Sequence, residues 1–225
     1  MSEGRARSVL FDLDGTLTDP ADGIVGCIRH ALESLGTSVH STSRLTRCIG
    51  PPLRESFAML LGHPGEAVVE EAVRRYRERF EARGMYENRV YPGIPELLGE
   101  IGRMGWSAYV VTSKPRIYAR EILDHFELRR FFAGVHGSEM DGKLSRKGEL
   151  LAHVLVAESL VAGDAVMVGD RAEDILGAQA TGIASIGVTY GYGSLEELRA
   201  AGPARICEDP ASVLAALQDH YREER

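Results

Sequence analysis

Cysteine is scarce in this chain of 225 residues, which contains only three. Cys27, Cys48 and Cys207 are odd in number, far apart in sequence and without the close spacing of metal-binding pairs. This pattern argues against a disulfide framework and against a cysteine-based metal site. It predicts free thiols and therefore a cytoplasmic protein.

Long hydrophobic runs are also missing. Residues 1–8 are short, polar and basic, and the apolar run that follows them, Val9 to Phe11, lasts only three residues. A signal peptide needs a longer apolar segment, and a membrane-spanning helix needs about 20 residues. We therefore expect a soluble protein that does not interact with a membrane.

The chain also lacks an excess of positive charge. The chain carries 26 basic and 33 acidic residues, a formal net charge of −7, whereas a surface that binds nucleic acid is basic. We therefore expect no nucleic-acid partner, but a small anionic substrate stays compatible because a cleft can differ in charge from the whole protein. The length suits one large domain or a domain with an insertion, and we expect a monomer or a homodimer.

The order of apolar patterns predicts the secondary structure. A short strand over 8–11 is followed by a helical pattern over 22–83, and from residue 94 onward strand and helix patterns alternate. Alternation of this kind is typical of a parallel sheet with helices on both faces. The spacing predicts helices over 94–104, 117–126, 147–159 and 172–181, and strands over 107–111, 134–136, 165–168 and 184–188.

The predicted fold class is therefore α/β, with a doubly wound, Rossmann-like parallel sheet that is interrupted after its first strand. We assign residues 1–17 and 91–225 to the α/β core and residues 18–90 to an inserted α-helical cap domain. An insertion at this point emerges at the sheet edge where ligands bind, and it can act as a lid.

The most informative segment is Asp12-Leu13-Asp14-Gly15-Thr16, directly after the first strand. Carboxylates two residues apart on an extended segment point the same way, and in parallel sheets ligands bind beyond the carboxyl ends of strands. One acid can attack as a nucleophile and the other can transfer protons, with Mg²⁺ screening the pair. An ordinary turn is the weaker interpretation, because average residue usage gives this pattern by chance in roughly one chain in a thousand.

Another predicted strand ends in Thr112-Ser113-Lys114-Pro115. Hydroxyl and backbone N–H groups at a junction between a strand and a helix suit phosphate oxygens. The alternative is that Thr112 or Ser113 simply caps the helix that follows.

The strand over 165–168 ends in Gly169-Asp170, and Asp174 follows one helical turn later. Asp170 can bind a metal ion directly, and Asp174 can bind the ion or a water on it. The alternative for Asp174 is a favourable charge at a helix N-terminus.

Lys143 and Lys147 are the candidates for a fixed positive charge, which a phosphoryl-transfer site needs to hold a carboxylate and a phosphate together. Lys147 opens a predicted amphipathic helix, so its ammonium group can face the sheet edge. For either lysine the alternative is a solvated surface cation.

Together these motifs resemble those of the haloacid dehalogenase superfamily of Mg²⁺-dependent phosphohydrolases, in particular its phosphoglycolate phosphatase and 5′-nucleotidase branch. The resemblance covers essentially the whole chain, and the four motifs occur in the family's order. The third motif departs from the family pattern, since the Lys-Pro pair of many relatives is absent. We assign it to Lys147, because Lys147-Gly148-Glu149-Leu150-Leu151 is similar to the helix start of nucleotidase-like relatives, and keep Lys143 as the alternative.

The resemblance implies roles for the site residues. Asp12 would be the nucleophile that forms an aspartyl-phosphate, and Asp14 would protonate the leaving oxygen and then activate water. Thr112 and Lys147 would complete the catalytic set. Phosphate would be held by Gly15, Thr112, Ser113 and Lys147, and Mg²⁺ by Asp12, Asp14 (through its carbonyl) and Asp170, with Asp174 close by.

The insertion resembles the helical cap of this branch, in which a segment like Gly50-Pro51-Pro52-Leu53 faces the active site and selects substrates. Arg47 and Arg54 flank this segment. They are candidates for contacting a second polar or anionic group of the substrate, and the alternative for each is a solvated arginine.

The implied function is hydrolysis of a small phosphorylated metabolite, with phosphoglycolate or a nucleoside monophosphate as candidates. Asp14 favours phosphomonoester chemistry, since dehalogenases of the superfamily lack this acid and phosphonate-cleaving relatives have a small residue there. A sugar-phosphate mutase similar to β-phosphoglucomutase stays open because it keeps both acids. A non-enzymatic phospho-receiver is disfavoured, because receiver domains are much shorter and have no cap.

Overall fold

The computed structural model of the protein describes residues 7–38 and 40–223. Residues 1–6 lie outside the described residues. They make up most of the short polar segment from which we expect no signal peptide. Among those it does describe, no helix is long and apolar enough to cross a membrane.

A six-stranded parallel sheet forms the core. The strands of the described chain are β1 (Ser8–Phe11), β2 (Thr18–Asp19), β3 (Arg89–Val90), β4 (Ser107–Pro115), β5 (Phe132–Ser138), β6 (Ala165–Gly169), β7 (Ala184–Val188) and β8 (Arg205–Cys207). The order in the sheet is β5-β4-β1-β6-β7-β8, so β1 lies between β4 and β6. Phe11 of β1 pairs in parallel register with Val110 and with Val168.

Helices cover both faces of this sheet. They are α1 (Ala21–Ser34), α2 (Thr42–Thr46), α3 (Leu53–Leu60), α4 (Glu66–Arg79), α5 (Ile94–Arg103), α6 (Arg116–His125), α7 (Lys147–Ala157), α8 (Ala172–Ala180), α9 (Leu195–Ala201) and α10 (Pro210–Glu223). Val9 and Phe11 pack in the apolar cluster that contains α5 and α10, whereas Leu10 packs in the cluster that contains α7. Because successive strand residues point to opposite faces, the predicted doubly wound α/β fold is confirmed.

The helices α1 to α4 lie between β2 and β3, and α4 continues into a π-helical turn, Phe80–Gly84. The two short strands pair with each other in antiparallel fashion. The side chain of Arg89 on β3 also forms an ion pair of 2.7 Å with Asp19 on β2. The helical segment thus leaves and rejoins the core at one place, where the predicted cap boundaries at 18 and 90 fall. The division into two domains stays a prediction.

Several elements differ from the sequence expectation. The strand predicted over 107–111 continues to Pro115, and α6 begins at Arg116 without a side-chain cap. The alternative role of Thr112 or Ser113 as a helix cap is therefore wrong. The elements β2, β3, β8, α9 and α10 were not predicted. Strands of two or three residues are too short for an apolar period to indicate them.

Candidate active site

The central strands β4, β1 and β6 bring three polar strand ends to one edge of the sheet. Asp12 follows β1 and donates its backbone N–H to the carbonyl oxygen of Val168 at 3.0 Å. Thr112 lies near the carboxyl end of β4, and Asp170 directly follows β6. Residues distant in sequence are neighbours here because the strand order makes them so.

The loop after β1 is tight, and Gly15 allows its path. The Gly15 N–H donates to the carbonyl of Thr18 at 2.7 Å, and the Thr18 N–H donates to the carbonyl of Leu13 at 3.0 Å. Gly15 has a φ of +88°, a region that favours glycine. A Cβ atom at this position would lie 2.2 Å from Oδ2 of Asp170. The loop backbone therefore packs directly against that carboxylate.

Lys147, the first residue of α7, lies between two acids. Its Nζ is 2.8 Å from Oδ1 of Asp12 and 2.7 Å from Oδ1 of Asp174, and it donates to the carbonyl of Val111 at 2.8 Å. Only 4% of the side chain is exposed. Burial alone would lower the pKa of Lys147, but the two carboxylates raise it above its ordinary value. The ammonium group therefore stays charged.

Asp170 completes a group of three buried acids. One carboxylate oxygen of each of Asp12, Asp170 and Asp174 lies within 4.8 Å of the other two. The backbone N–H of Tyr192 donates to Oδ2 of Asp170 at 2.7 Å, and the Thr16 hydroxyl donates to Oδ1 at 3.4 Å. A buried group of oxygen donors suits a hard divalent cation such as Mg²⁺.

Negative charge is in excess at this group. Burial, and then repulsion by Asp174 and Asp12, holds the pKa of Asp170 well above its ordinary value. Burial likewise raises the pKa of Asp174 to about 6, although Lys147 opposes the rise. Four acids with little exposure, Asp12, Asp14, Asp170 and Asp174, face two lysines with little exposure, Lys114 and Lys147. With all four carboxylates ionised, the excess would be two negative charges, which one divalent cation would offset.

Asp14 is not part of the acidic group found among the described residues. Its partner is Lys114, a lysine whose role the sequence did not predict. The Nζ of Lys114 is 2.7 Å from Oδ2 of Asp14 and 4.8 Å from the centroid of the Phe80 ring. Burial raises the pKa of Asp14, and Lys114 opposes this rise. The signal that could have identified Lys114 is its place at a polar strand end, next to Thr112 and Ser113.

The segment after β7 is a second part of the site without a predicted role. The Tyr190 hydroxyl donates to the carbonyl of Thr16 at 3.1 Å. A Cβ atom at Gly191 would lie 2.3 Å from the carbonyl oxygen of Gly15, and one at Gly193 would lie 1.9 Å from that of Asp170. Only a chain without side chains at these two positions can approach so closely. The sequence signal that could have identified this segment is its glycines, which follow a strand of the same sheet.

Asp12 and Asp14 line a cavity of about 360 Å³ between the sheet edge and the helical segment. Thr112, Ser113 and Lys114 line it on the sheet side. The volume lies within the range of about 300–1,000 Å³ that is usual for ligand sites. The helical segment contributes a wall with apolar, aromatic and charged residues, which are Ile24, Cys48, Val73, Tyr76, Arg77, Phe80 and residues 50–55.

Of the two candidate arginines, the structure brings only Arg54 to the cavity. Arg54 lines it together with Gly50 and Pro51, and its guanidinium group donates to the Glu70 carboxylate at 2.5 and 3.1 Å. Arg47 is exposed and lines a separate surface depression on the other side of Pro51. This position differs from the sequence expectation, because proximity in sequence does not decide the side of a turn on which a residue lies.

The alternative lysine for the third motif also lies outside the site. Lys143 has a side chain that is 79% exposed and pairs with Asp141 at 3.1 Å. The geometry therefore favours Lys147 over Lys143 as the lysine of the third motif.

Comparison with known families and proteins agrees with this geometry. The sequence model of the haloacid dehalogenase-like hydrolase family matches residues 9–188. A protein named 5′-nucleotidase from Pseudomonas aeruginosa is 48% identical over 216 residues, which cover 96% of this chain and 97% of that protein. A phosphoglycolate phosphatase from Agrobacterium fabrum is 32% identical, over 92% of this chain and 91% of the relative.

Two further similarities concern proteins with other descriptions. The tyrosine-protein kinase PtkA of Mycobacterium tuberculosis is 42% identical over 82% of this chain, and the match spans 62% of the kinase. A crystal structure described as a predicted phosphatase from Clostridium acetobutylicum superposes with a TM-score of 0.92 and is 39% identical. That similarity covers 96% of this chain and all of the solved one.

The contact of Gly15 with Asp170 generates a testable prediction. In Gly15→Ala the new methyl group would displace the carboxylate of Asp170, so we expect divalent-cation binding to weaken at least ten-fold. Gly36→Ala is the matched control, since Gly36 also has a positive φ of +67° but no atom of the described residues lies within 4 Å of a Cβ there. Both variants should lose about 1 kcal/mol or more of stability from backbone strain. Calorimetric titration with Mg²⁺ measures the difference, and equal affinities in the two variants would contradict the prediction.

Proposed function

We propose that this protein, a phosphatase that belongs to the haloacid dehalogenase-like hydrolase family, hydrolyses a small phosphomonoester. The reaction would use Mg²⁺ and proceed through an aspartyl-phosphate on Asp12. The family resemblance seen in the four sequence motifs is confirmed. The observation that carries the finer proposal is the buried ammonium group of Lys147 between Asp12 and Asp174, with Asp170 beside them.

The donor set supports the choice of Mg²⁺. Asp12, Asp170 and the carbonyl of Asp14 would hold the ion, with Asp174 beside them. These donors are all oxygen atoms, and with all four carboxylates ionised the acids would exceed the lysines by the charge of one divalent cation. When bound, the ion would neutralise negative charge between the carboxylates and the substrate phosphate.

In the proposed mechanism Asp12 attacks the phosphorus atom while the bond to the leaving oxygen breaks. Asp14 gives a proton to the leaving oxygen and later accepts one from the water that hydrolyses the aspartyl-phosphate. Lys147 holds Oδ1 of Asp12 and provides fixed positive charge where the phosphate binds.

The phosphate oxygens would be held by groups at the ends of β1 and β4. The Thr112 hydroxyl accepts a hydrogen bond from the Lys114 N–H at 3.3 Å, and a hydroxyl that accepts one bond can still donate its proton, here to a phosphate oxygen. Backbone N–H groups near Gly15 and Ser113 are the further donors that we assign to this role. Donors that are placed before the reaction stabilise developing charge without having to reorganise.

Among small substrates we propose a nucleoside monophosphate rather than phosphoglycolate. The cavity of about 360 Å³ has an apolar and aromatic wall that includes Val73, Tyr76 and Phe80, which suits a nucleoside. Of the three described arginines that line the cavity, Arg54, Arg77 and Arg146, the first is already neutralised by Glu70, so the preference rests on the apolar wall. The similarity to a protein named 5′-nucleotidase supports the same choice.

The mutase alternative differs in the fate of the phosphoryl group, which would return to a sugar instead of passing to water. No contact in the described cavity favours it. A non-enzymatic receiver does not agree with a chain that is a phosphatase. We further propose that the enzyme is cytoplasmic. It would act on a small phosphorylated substrate as a monomer or a homodimer.

A phosphate-release screen tests the proposed function. With Mg²⁺ present, we expect nucleoside monophosphates to exceed phosphoglycolate and sugar phosphates in kcat/KM, since they fill the apolar part of the cavity. Asp12→Asn should abolish turnover, and chelation of Mg²⁺ should do the same reversibly. Near-normal activity of Asp12→Asn would contradict the covalent mechanism. Conversion of a sugar 1-phosphate to its 6-phosphate without phosphate release would favour the mutase.

The third motif is tested by two lysine variants. Lys147→Ala leaves Asp12 and Asp174 without their shared cation, so we expect kcat to fall by roughly 10²-fold or more, as for removal of a charged donor from a reaction centre. Lys143→Ala is the matched control, and it should keep near-normal kcat because Lys143 is exposed. A larger loss in Lys143→Ala would move the third motif to Lys143.

The role of Glu70 in substrate choice gives a further prediction. Glu70→Gln removes the charge that neutralises Arg54, so Arg54 can attract a carboxylate at the cavity. We expect KM for phosphoglycolate to fall several-fold while KM for a nucleoside monophosphate changes little. The adjacent substitution Glu71→Gln, which affects pairs with Arg74 and Arg75 instead, is the control. The same KM change in both variants would show that the effect is general.

A further inference from the structure

The side chain of Lys114 has no role in the proposed mechanism, although it contacts Asp14. Its side chain is only 6% exposed, and that of its partner Asp14 is 9% exposed. The lysine extends from the carboxyl end of β4. It meets Asp14, which follows β1, at a distance of 2.7 Å between Nζ and Oδ2. A lysine on the surface would not be held in this way.

The two oxygen atoms of Asp14 have different surroundings. Oδ2 faces the ammonium group of Lys114. Oδ1 is buried and has no hydrogen-bond partner within the part of the chain that the structure describes. Asp14 also lines the cavity. A buried polar atom without a partner is unusual in a folded protein, and here that atom belongs to a side chain at the substrate cavity.

The helical segment holds Lys114 from the other side. Phe80 begins the π-helical turn after α4, and its ring centroid is 4.8 Å from Nζ of Lys114. The ring is fixed by stacking on Tyr76 and by an edge contact with Tyr118. The ammonium group therefore lies between a carboxylate of the core and an aromatic face of the helical segment. Cations bind favourably to such faces.

We propose that Lys114 is a positioning residue, which holds Oδ2 of Asp14 so that Oδ1 is the atom that exchanges protons with the substrate, and that Phe80 holds Lys114 in this position. The inference rests on the proposed function, because the acid role of Asp14 belongs to it. As an oxygen of Asp12 bonds to phosphorus, the P–O ester bond breaks. The ester oxygen keeps the electron pair and takes the proton from Oδ1. The carboxylate that remains on Asp14 then faces the ammonium group.

A residue that positions the acid has a particular kinetic signature. A poor leaving group needs its proton in the transition state, whereas a good one departs almost without help. Loss of Lys114 should therefore affect esters of weakly acidic alcohols most. A variant that merely damages the fold would slow all esters by the same factor.

The experiment compares aryl phosphates of similar size and different leaving-group acidity, such as 4-nitrophenyl, phenyl and 4-methoxyphenyl phosphate. The quantity measured is kcat/KM with Mg²⁺, which reports the steps up to formation of the aspartyl-phosphate. In Lys114→Met, which keeps the apolar part of the side chain, we expect the loss for phenyl phosphate to exceed that for 4-nitrophenyl phosphate at least ten-fold. In Lys114→Arg, which keeps a positive charge, the difference between the two esters should be smaller than in Lys114→Met. Lys143→Met is the matched control, since it removes an exposed lysine.

A second pair of variants tests the same inference without changing a charge. Phe80→Leu removes the aromatic face over Lys114, and Phe57→Leu removes another buried ring of the helical segment, which contacts Tyr76 instead of Lys114. Only Phe80→Leu should lower kcat/KM for phenyl phosphate several-fold more than kcat/KM for 4-nitrophenyl phosphate. Equal losses for all esters in both Lys114→Met and Phe80→Leu would overturn the inference and leave the proposed function intact. Failure of the unmodified protein to hydrolyse any of these esters would overturn both.

Discussion

The contact of the Lys147 ammonium group with Asp12 and Asp174 is the interaction on which the site depends. The two carboxylates come from the end of β1 and the first turn of α8, and the lysine comes from the start of α7. Without a cation between them, two buried negative charges would repel each other strongly, because the interior screens charge poorly. The lysine therefore joins three elements at one point of the sheet edge.

The surroundings of this contact follow from the remaining negative charge. Asp170 receives a backbone N–H from Tyr192 and a hydroxyl from Thr16, and the glycines at 15, 191 and 193 let backbone lie against it. Asp170 is thus covered by backbone at three glycines instead of by larger side chains. An enclosure of this kind leaves a small ion and a phosphate group room that larger side chains would occupy.

Hydrogen bonds attach the helical segment to the core on two sides of the cavity. Arg171 of the core donates to the carbonyl of Ile49 at 2.5 Å, and Arg77 of α4 donates to the carbonyl of Met140 at 2.8 Å. The buried acids lie on the core side, whereas most of the apolar wall comes from the helical segment. Under the proposed function, we therefore expect substitutions in the helical segment to change substrate preference without disturbing the acids.

The sequence by itself determined the alternation of strands and helices, and with it the expectation that Asp12, Thr112 and Asp170 follow strands of one parallel sheet, whereas the tertiary structure made those strands neighbours. It also determined the start of α7 at Lys147, because helical periodicity and strand ends are local properties. Only the tertiary structure decided that Lys147 and not Lys143 reaches the acids, that Lys114 pairs with Asp14, and that Arg47 lies away from the cavity. These facts depend on which face of a turn packs inward, and that choice is made by contacts between residues far apart in the chain.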